Sequence, residues 1–278
     1  MQPTKRNWLA EIQTKVDARP NAVLFYGPPG AGKTSFAAAI PGVVFLMDGK
    51  EQGLLTLKAN HQIPESVPNL PPIWSFDELL DAVEWLRTGE HSFRAAALDT
   101  LGGFERFAHQ KVCDAKYHGE WSAKGPQGEG FESFGKGAKV AVADWLMLLT
   151  SLDRLRDERK MSVVLLAHAR AGNFKNPMGP DYQLWTPDCD NATWGVTHKW
   201  CDLVIFANHV SMVDEKKKKE SGVGERVMYT TRQPGFEAKN RHGLPEEIGM
   251  GKSGKEAWAN FVAALKTGRE AGKASETQ

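Results

Sequence analysis

The sequence predicts an α/β fold, doubly wound around a mainly parallel sheet, on three observations. Short apolar runs recur along the chain: AVLFY at 22–26, VVFLM at 43–47, RAAAL at 94–98, SVVLLA at 162–167 and DLVIFAN at 202–208. Buried parallel strands read this way. Segments of helical spacing lie between them, and such alternation implies a parallel sheet. A glycine-rich turn follows the first run and opens a helical segment, as in a strand–turn–helix unit.

The elements follow in order. Residues 22–26 form the first strand and 43–47 the second. DELLDAVEWLR at 77–87 has helical spacing, with Asp77 as its cap. The third strand ends at Asp99, and 103–117 read as a helix. Residues 119–137, rich in glycine and polar side chains, read as a loop. An apolar stripe predicts a helix over 138–159. Strand four at 162–167 is followed by a long loop over 169–192, strand five at 202–208, and a C-terminal antiparallel hairpin over 226–239. The closing TGREAGKASETQ is polar and predicts no stable structure. The expected organisation is an N-terminal segment at 1–21, a candidate oligomerisation arm; one α/β domain at 22–265; and a tail at 266–278.

Composition narrows the possibilities. With 278 residues and a formal net charge of +1, the chain has no global basic field, so contact with a polyanion must come from a local patch. Cys113, Cys189 and Cys201 are far apart and form no Cys-x-x-Cys pair, which argues against zinc. Their odd, sparse count fits a reducing, cytoplasmic setting. The opening MQPTKRNWLAEIQTK lacks the apolar core of a signal peptide, and no run reaches the length of a membrane span.

Residues 27–34, GPPGAGKT, match the phosphate-loop pattern G-x-x-x-x-G-K-[ST], with a strand before and a helix after. Gly27, Gly30 and Gly32 let the backbone wrap phosphate, with Pro28, Pro29, Ala31 and Ser35 completing the cradle. The helix that follows offers its positive N-terminus. Lys33 is expected to reach the β- and γ-phosphates, and Thr34 to place its hydroxyl on Mg²⁺. The partner carboxylate is Asp99 of AAALD, acting on Mg²⁺ through water.

Hydrolysis needs a base. FLMDGKEQGL offers Asp48 and Glu51 where the second strand meets the ligand crevice, and Glu51 is preferred. His168 of LLAHAR is either a hydrogen-bond partner of the γ-phosphate or its water, or a strand-end histidine satisfied by backbone. A guanine-reading Thr-Lys-x-Asp pattern occurs only as TKVD at 14–17, before the phosphate loop, so ATP is the expected nucleotide. No arginine stands out near the chain's own phosphates.

EAKNRHG at 237–243 places Lys239 and Arg241 at i, i+2, on one face of an extended segment. The plain reading is a solvated edge strand. The other is a pair of cations for a neighbouring subunit's ATP, a device that supplies roughly 10³–10⁵ in rate.

Taken with LFYGPPGAGKTSFAAAIPG, EQGL, AAALDTL, FGKGAKVA, VVLLAHA, KWCDLVIFAN and ERVMYTTRQPGFEAKNRHGLP, these stretches resemble the RecA-like phosphate-loop ATPases. They are most similar to phage nucleotide-binding proteins of the Sak recombinase group. The resemblance implies a RecA-like core with Glu51 as the base, although Lys50 stands where RecA has its glutamate. KNRHG would supply trans fingers. It also implies a homo-oligomer, ring or filament, in a bacterial host's cytoplasm, which binds single-stranded DNA and anneals or pairs complementary strands beside a single-strand-binding protein.

Two loops offer the cations and aromatics that single-strand binding uses. One, 116–137, holds Lys116, Trp121, Lys124 and Lys136. The other, 169–192, holds Arg170, Phe174, Lys175 and Trp185, with Trp194 just beyond. Loop aromatics also fold back onto domains, and Asp181, Asp188 and Asp190 dilute the charge. The lysine run at 216–219 reads as a solvated hairpin tip that could add a phosphate patch. Other phosphate-loop machines remain as alternatives: a helicase or helicase loader, for which the chain lacks room for further domains, or a small-molecule kinase. The kinase predicts a lid with several arginines, and 119–137 contain none.

Overall fold

The computed structural model describes residues 8–12, 19–125, 128–210, 213–214, 219–220 and 224–275. TKVD at 14–17, all of 1–21 except 8–12 and 19–21, and 276–278 lie outside them, as does the lysine run apart from the backbone of Lys219.

The main sheet has strands β1 (Ala22–Gly27), β2 (Val43–Met47), β3 (Ala95–Asp99), β4 (Ser162–Phe174), β5 (Tyr182–Pro187), β6 (Leu203–His209), β7 (Arg226–Tyr229), β8 (Lys239–Asn240) and β9 (Glu247–Gly249). Its order is β9-β7-β6-β1-β4-β3-β2. The five strands from β6 to β2 run parallel. At the far edge β7 lies antiparallel to β6, and β9 antiparallel to β7. The chain thus forms the α/β, mainly parallel sheet with antiparallel additions that its sequence predicts. β4 separates β1, which carries the phosphate loop, from β3, which ends in Asp99.

Side chains alternate across the parallel strands and fill two layers. Leu24, Tyr26, Leu46 and Leu98 face helices α3 (Phe76–Thr88), α4 (Leu101–Tyr117) and α5 (Lys136–Arg159), with Trp145 buried among them. Val23, Phe25, Phe45 and Ile205 face α1 (Lys33–Ala38) and α7 (Gly254–Ser275), where Phe36 stacks on Phe25 and meets Phe261 edge-on. A short helix, α2 (Gly53–Ala59), follows β2.

Several expectations are corrected. Ser75, not Asp77, caps α3: its Oγ accepts from the Glu78 amide at 3.1 Å, and Glu78 returns a bond to the Trp74 amide at 2.7 Å. The supposed loop at 169–192 is mostly ordered. β4 runs on to Phe174 and β5 returns along it, from Ala169↔Pro187 to Phe174↔Tyr182. A helix, α6 (Asn191–Trp200), follows, with Asp190 accepting from the Ala192 amide at 2.7 Å. The stretch 226–239 is not a self-paired hairpin: β7 pairs with β6 and β9, and β8 pairs with the start of β6. Residues 267–275 continue α7 instead of trailing as an unstructured tail, and their alanine, lysine and glutamate favour helix.

Candidate nucleotide site

The site is built where β1 ends. Gly27 is required there: a Cβ would lie 2.1 Å from the Ala207 carbonyl on neighbouring β6. Gly32 turns into α1 at φ 91°, a conformation that glycine adopts without strain. Between them the loop closes on itself, the Ala31 amide donating to the Pro28 carbonyl at 3.3 Å.

Lys33 is 7% exposed, and its Nζ donates to the carbonyls of Gly27 (2.9 Å) and Pro28 (3.0 Å). Burial lowers its pKa, while the negative charges of Asp99 and Glu51 oppose that shift. Thr34 donates its hydroxyl to Asp99 Oδ2 at 3.1 Å, so two motifs 65 residues apart meet at one point. Asp99 is 2% exposed and its pKa is pushed up to about 7, first by burial and then by the charge of Glu51. A hydroxyl and a buried carboxylate side by side are a donor set suited to a hard divalent ion. Among the described residues no group of three or more His, Cys, Asp or Glu could hold a metal, so a magnesium ion here would take its other ligands from phosphate and water.

A cleft of about 450 Å³ opens over the loop, lined by Pro29, Gly30, the residues from Gly32 to Ser35, and by Glu51, Asp99, His168 and Arg226, while Ala31 is buried beneath it. The geometry separates the two candidate bases. Asp48 is 6% exposed, and its oxygens accept from the amides of Lys50 (2.9 Å) and Thr100 (3.4 Å). It holds the turn after β2 and does not line the cleft. Glu51 does, with Oε1 taking the Gly53 amide at 2.7 Å. His168 pairs in register with Gly27 and is exposed between this cleft and a second one of about 450 Å³ lined by Glu105, Arg106, His109 and Arg170.

Arg226 corrects the expectation that no arginine stands near the chain's own phosphate loop. A Cβ on Gly32 would lie 2.7 Å from its Nη1. No local pattern marks it in the sequence; only the antiparallel return of β7 along β6 delivers it to the loop.

Lys239 and Arg241 lie away from this cleft. Lys239 pairs with Val204, at the start of β6, whereas the phosphate loop sits at the strands' other end. Lys239 Nζ donates to the carbonyls of His198 (2.6 Å), Lys199 (3.2 Å) and Cys201 (2.6 Å), closing the C-terminus of α6. Arg241 stays 55% exposed, with Nη1 3.7 Å from Asp202 Oδ1.

The DNA candidates divide. Arg170 and Lys175 are exposed on the β4–β5 hairpin, Arg170 bonding Asn191 at 3.2 Å. Phe174 packs on Tyr182, with ring centroids 5.0 Å apart. Trp185 is partly buried: its ring packs against Phe206, and its carbonyl accepts from the Tyr26 hydroxyl at 3.1 Å. Trp194 rests edge-on against His198. In the other segment Trp121 packs on Phe131 beneath Arg106, while Lys116 and Lys124 are exposed. Lys136 pairs with Glu129 at 2.7 Å beside Phe134, an 85% exposed aromatic that sequence reading passed over.

A family model described as an AAA domain (AAA_24) matches residues 19–242, more than half of the chain. The chain belongs to this AAA-domain family. Its domains are generally nucleoside triphosphatases, and the phosphate loop, Thr34–Asp99 contact and cleft described above are the parts such a domain needs. No curated protein matches the sequence. The crystal structure of the RadB recombinase is similar at a TM-score of 0.44 and 14% identity, over 78% of this chain and 85% of that one, a likeness too loose to say what this chain does. No described helix is long and apolar enough to cross a membrane.

Proposed function

We propose that this AAA-domain protein is an ATPase driven by single-stranded DNA, which assembles with copies of itself and promotes annealing or pairing of complementary strands. The carrying observation is one edge of the sheet. There Lys33, Thr34, Asp99, Glu51 and His168 line a single cleft, and the same β4 that bears His168 runs outward into a hairpin with Arg170 and Lys175 exposed.

The roles follow from placement. Lys33, now on loop carbonyls, exchanges them for the β- and γ-phosphates. Glu51 takes the proton of the attacking water. Held by Thr34, with Asp99 behind its water, Mg²⁺ would offset phosphate charge. His168 belongs both to the cleft and to the strand that reaches the hairpin, so it couples the γ-phosphate position to Arg170 two residues on. The hairpin and the segment with Lys124, Phe134 and Lys136 form the DNA face, where cations track phosphates and an exposed ring stacks on a base. Arg241, exposed and remote from its own cleft, serves the ATP of the next subunit, and Lys239 holds the helix end beside it.

Turnover of ATP with and without single-stranded DNA, across protein concentration, tests this reading. Stimulation by DNA that rises with assembly supports it. Full turnover by dilute monomer, indifferent to DNA, refutes it.

A further inference from the structure

Arg226 opens β7 opposite His209, the last residue of β6, so it stands at the edge where the phosphate loop lies. Its backbone is pinned there: its carbonyl accepts from the Met250 amide at 2.8 Å. The guanidinium reaches over Gly32 and lines the nucleotide cleft. Nη2 donates to the Gly251 carbonyl at 3.0 Å. Among the described residues this is the side chain's only hydrogen bond, and no carboxylate lies within ion-pair distance. A guanidinium has five N–H donors in a rigid fork, so most of its donors are left for the cleft.

The charge balance points the same way. Around the loop the fixed charges are Lys33 against Asp99 and Glu51, a negative excess. A triphosphate with one divalent cation is itself negative. Arg226 offsets part of that negative charge, and its fork is the shape that binds phosphate oxygens in pairs.

We propose that Arg226 is a phosphate ligand in cis: it binds the phosphate chain of the nucleotide held by its own subunit's loop. The proposal rests on the ATPase reading and is separate from the trans role of Arg241. It sets a second cation beside Lys33 on the strand edge, with Gly32 left without a side chain so that the guanidinium can approach. The competing role is a strut, in which Arg226 only ties the turn at Gly251 to the phosphate loop.

Inorganic tripolyphosphate separates the two, because it has phosphates and neither sugar nor base. Calorimetry with magnesium would measure binding of ATP and of tripolyphosphate to the full chain, as wild type, Arg226→Gln and Lys33→Ala. Arg226→Gln should weaken both ligands by about 10- to 100-fold, as expected when a charged hydrogen bond is removed. Its melting temperature without ligand should stay close to wild type. Tripolyphosphate binding unchanged in Arg226→Gln overturns the proposal, whatever happens to ATP. Should that variant fail to fold, phenylglyoxal labelling of wild type replaces it. Shielding of Arg226 by tripolyphosphate supports the proposal, and equal labelling with and without it overturns it. If wild type binds neither ligand, the ATPase reading itself fails and this role falls with it. If wild type binds both and Arg226→Gln does too, only this role fails.

Discussion

Lys239→Met should unfold the protein more easily while Arg241→Ala, two residues away, should not. The ammonium of Lys239 bonds three carbonyls at the end of α6, at 2.6, 3.2 and 2.6 Å. Those carbonyls have no partner within the helix, and a cation there also meets the negative end of the helix dipole. One bond to a charged group contributes about 1.5–3 kcal/mol. The three share a single ammonium, and Lys239 is only half-buried, so water can reach the freed carbonyls. Together they are therefore worth about 2–3 kcal/mol and not three times one bond. For a chain of this size that lowers the melting temperature by about 4–10 °C. Arg241 offers a contrast: its ion pair with Asp202 is 3.7 Å long and the side chain is 55% exposed, so its removal costs about 0–1 kcal/mol. Urea unfolding of the two variants would measure this as a shift in midpoint at constant slope. Equal midpoints for Lys239→Met and wild type, or an equal fall in Arg241→Ala, would show that the cap at α6 is not what Lys239 does.

Glu51→Gln should keep ATP affinity and slow turnover by about 10²–10⁴-fold, since a general base is removed without a change of shape. Asp48→Asn should instead disturb folding, because Asp48 is buried against the Lys50 and Thr100 amides; a stable Asp48→Asn that binds ATP and cannot hydrolyse it would reverse the assignment. For DNA, Arg170→Ala with Lys175→Ala should weaken single-strand binding and flatten its log–log salt dependence by roughly 0.7 for each DNA phosphate left without its cation. Trp185→Ala should act through stability alone, at a cost below the about 3–5 kcal/mol of a fully buried tryptophan, because Trp185 is partly buried against the core; unaltered stability with abolished DNA binding would return Trp185 to the DNA face.

What the sequence could tell depended on how local each signal was. The phosphate loop is contiguous, and its strand and helix flank it, so Gly27 to Thr34 were readable at once. Asp99 was readable because an apolar strand announces its own end. Glu51 and Asp48 both follow β2, and only burial separates them. The helix α6 escaped notice because Thr193, Gly195, Val196 and Thr197 are weak helix formers. Tertiary contacts hold it instead: the Trp145 indole donates to Thr197 Oγ1 at 2.8 Å, and Lys239 closes its end. Trp185 read as a loop aromatic because β4 turns polar at His168, which disguises a strand that continues. Arg226 was beyond local reading, since a strand far along the chain must return antiparallel to place it on Gly32.

Arg241 remains the side chain through which assembly can be tested. It lies at the end of the sheet opposite its own phosphate loop, so a direct contact with its own ATP would need the fold to be broken. Two variants separate the functions. Lys33→Ala keeps the finger and disables the loop; Arg241→Ala keeps the loop and, from the exposure of that side chain, keeps the fold. Each alone should hydrolyse ATP poorly. In a head-to-tail assembly mixed in equal parts, about one interface in four joins the working loop of one subunit to the working finger of another. Activity should then recover to about a quarter of wild type per subunit, and only at concentrations that support assembly. Lys239 is left intact in both, because replacing it would disturb α6 and blur the result. A mixture that stays at the sum of its parts although the variants co-assemble places Arg241 outside the neighbour's site. Full DNA-stimulated turnover by Arg241→Ala alone makes the segment a solvated edge strand.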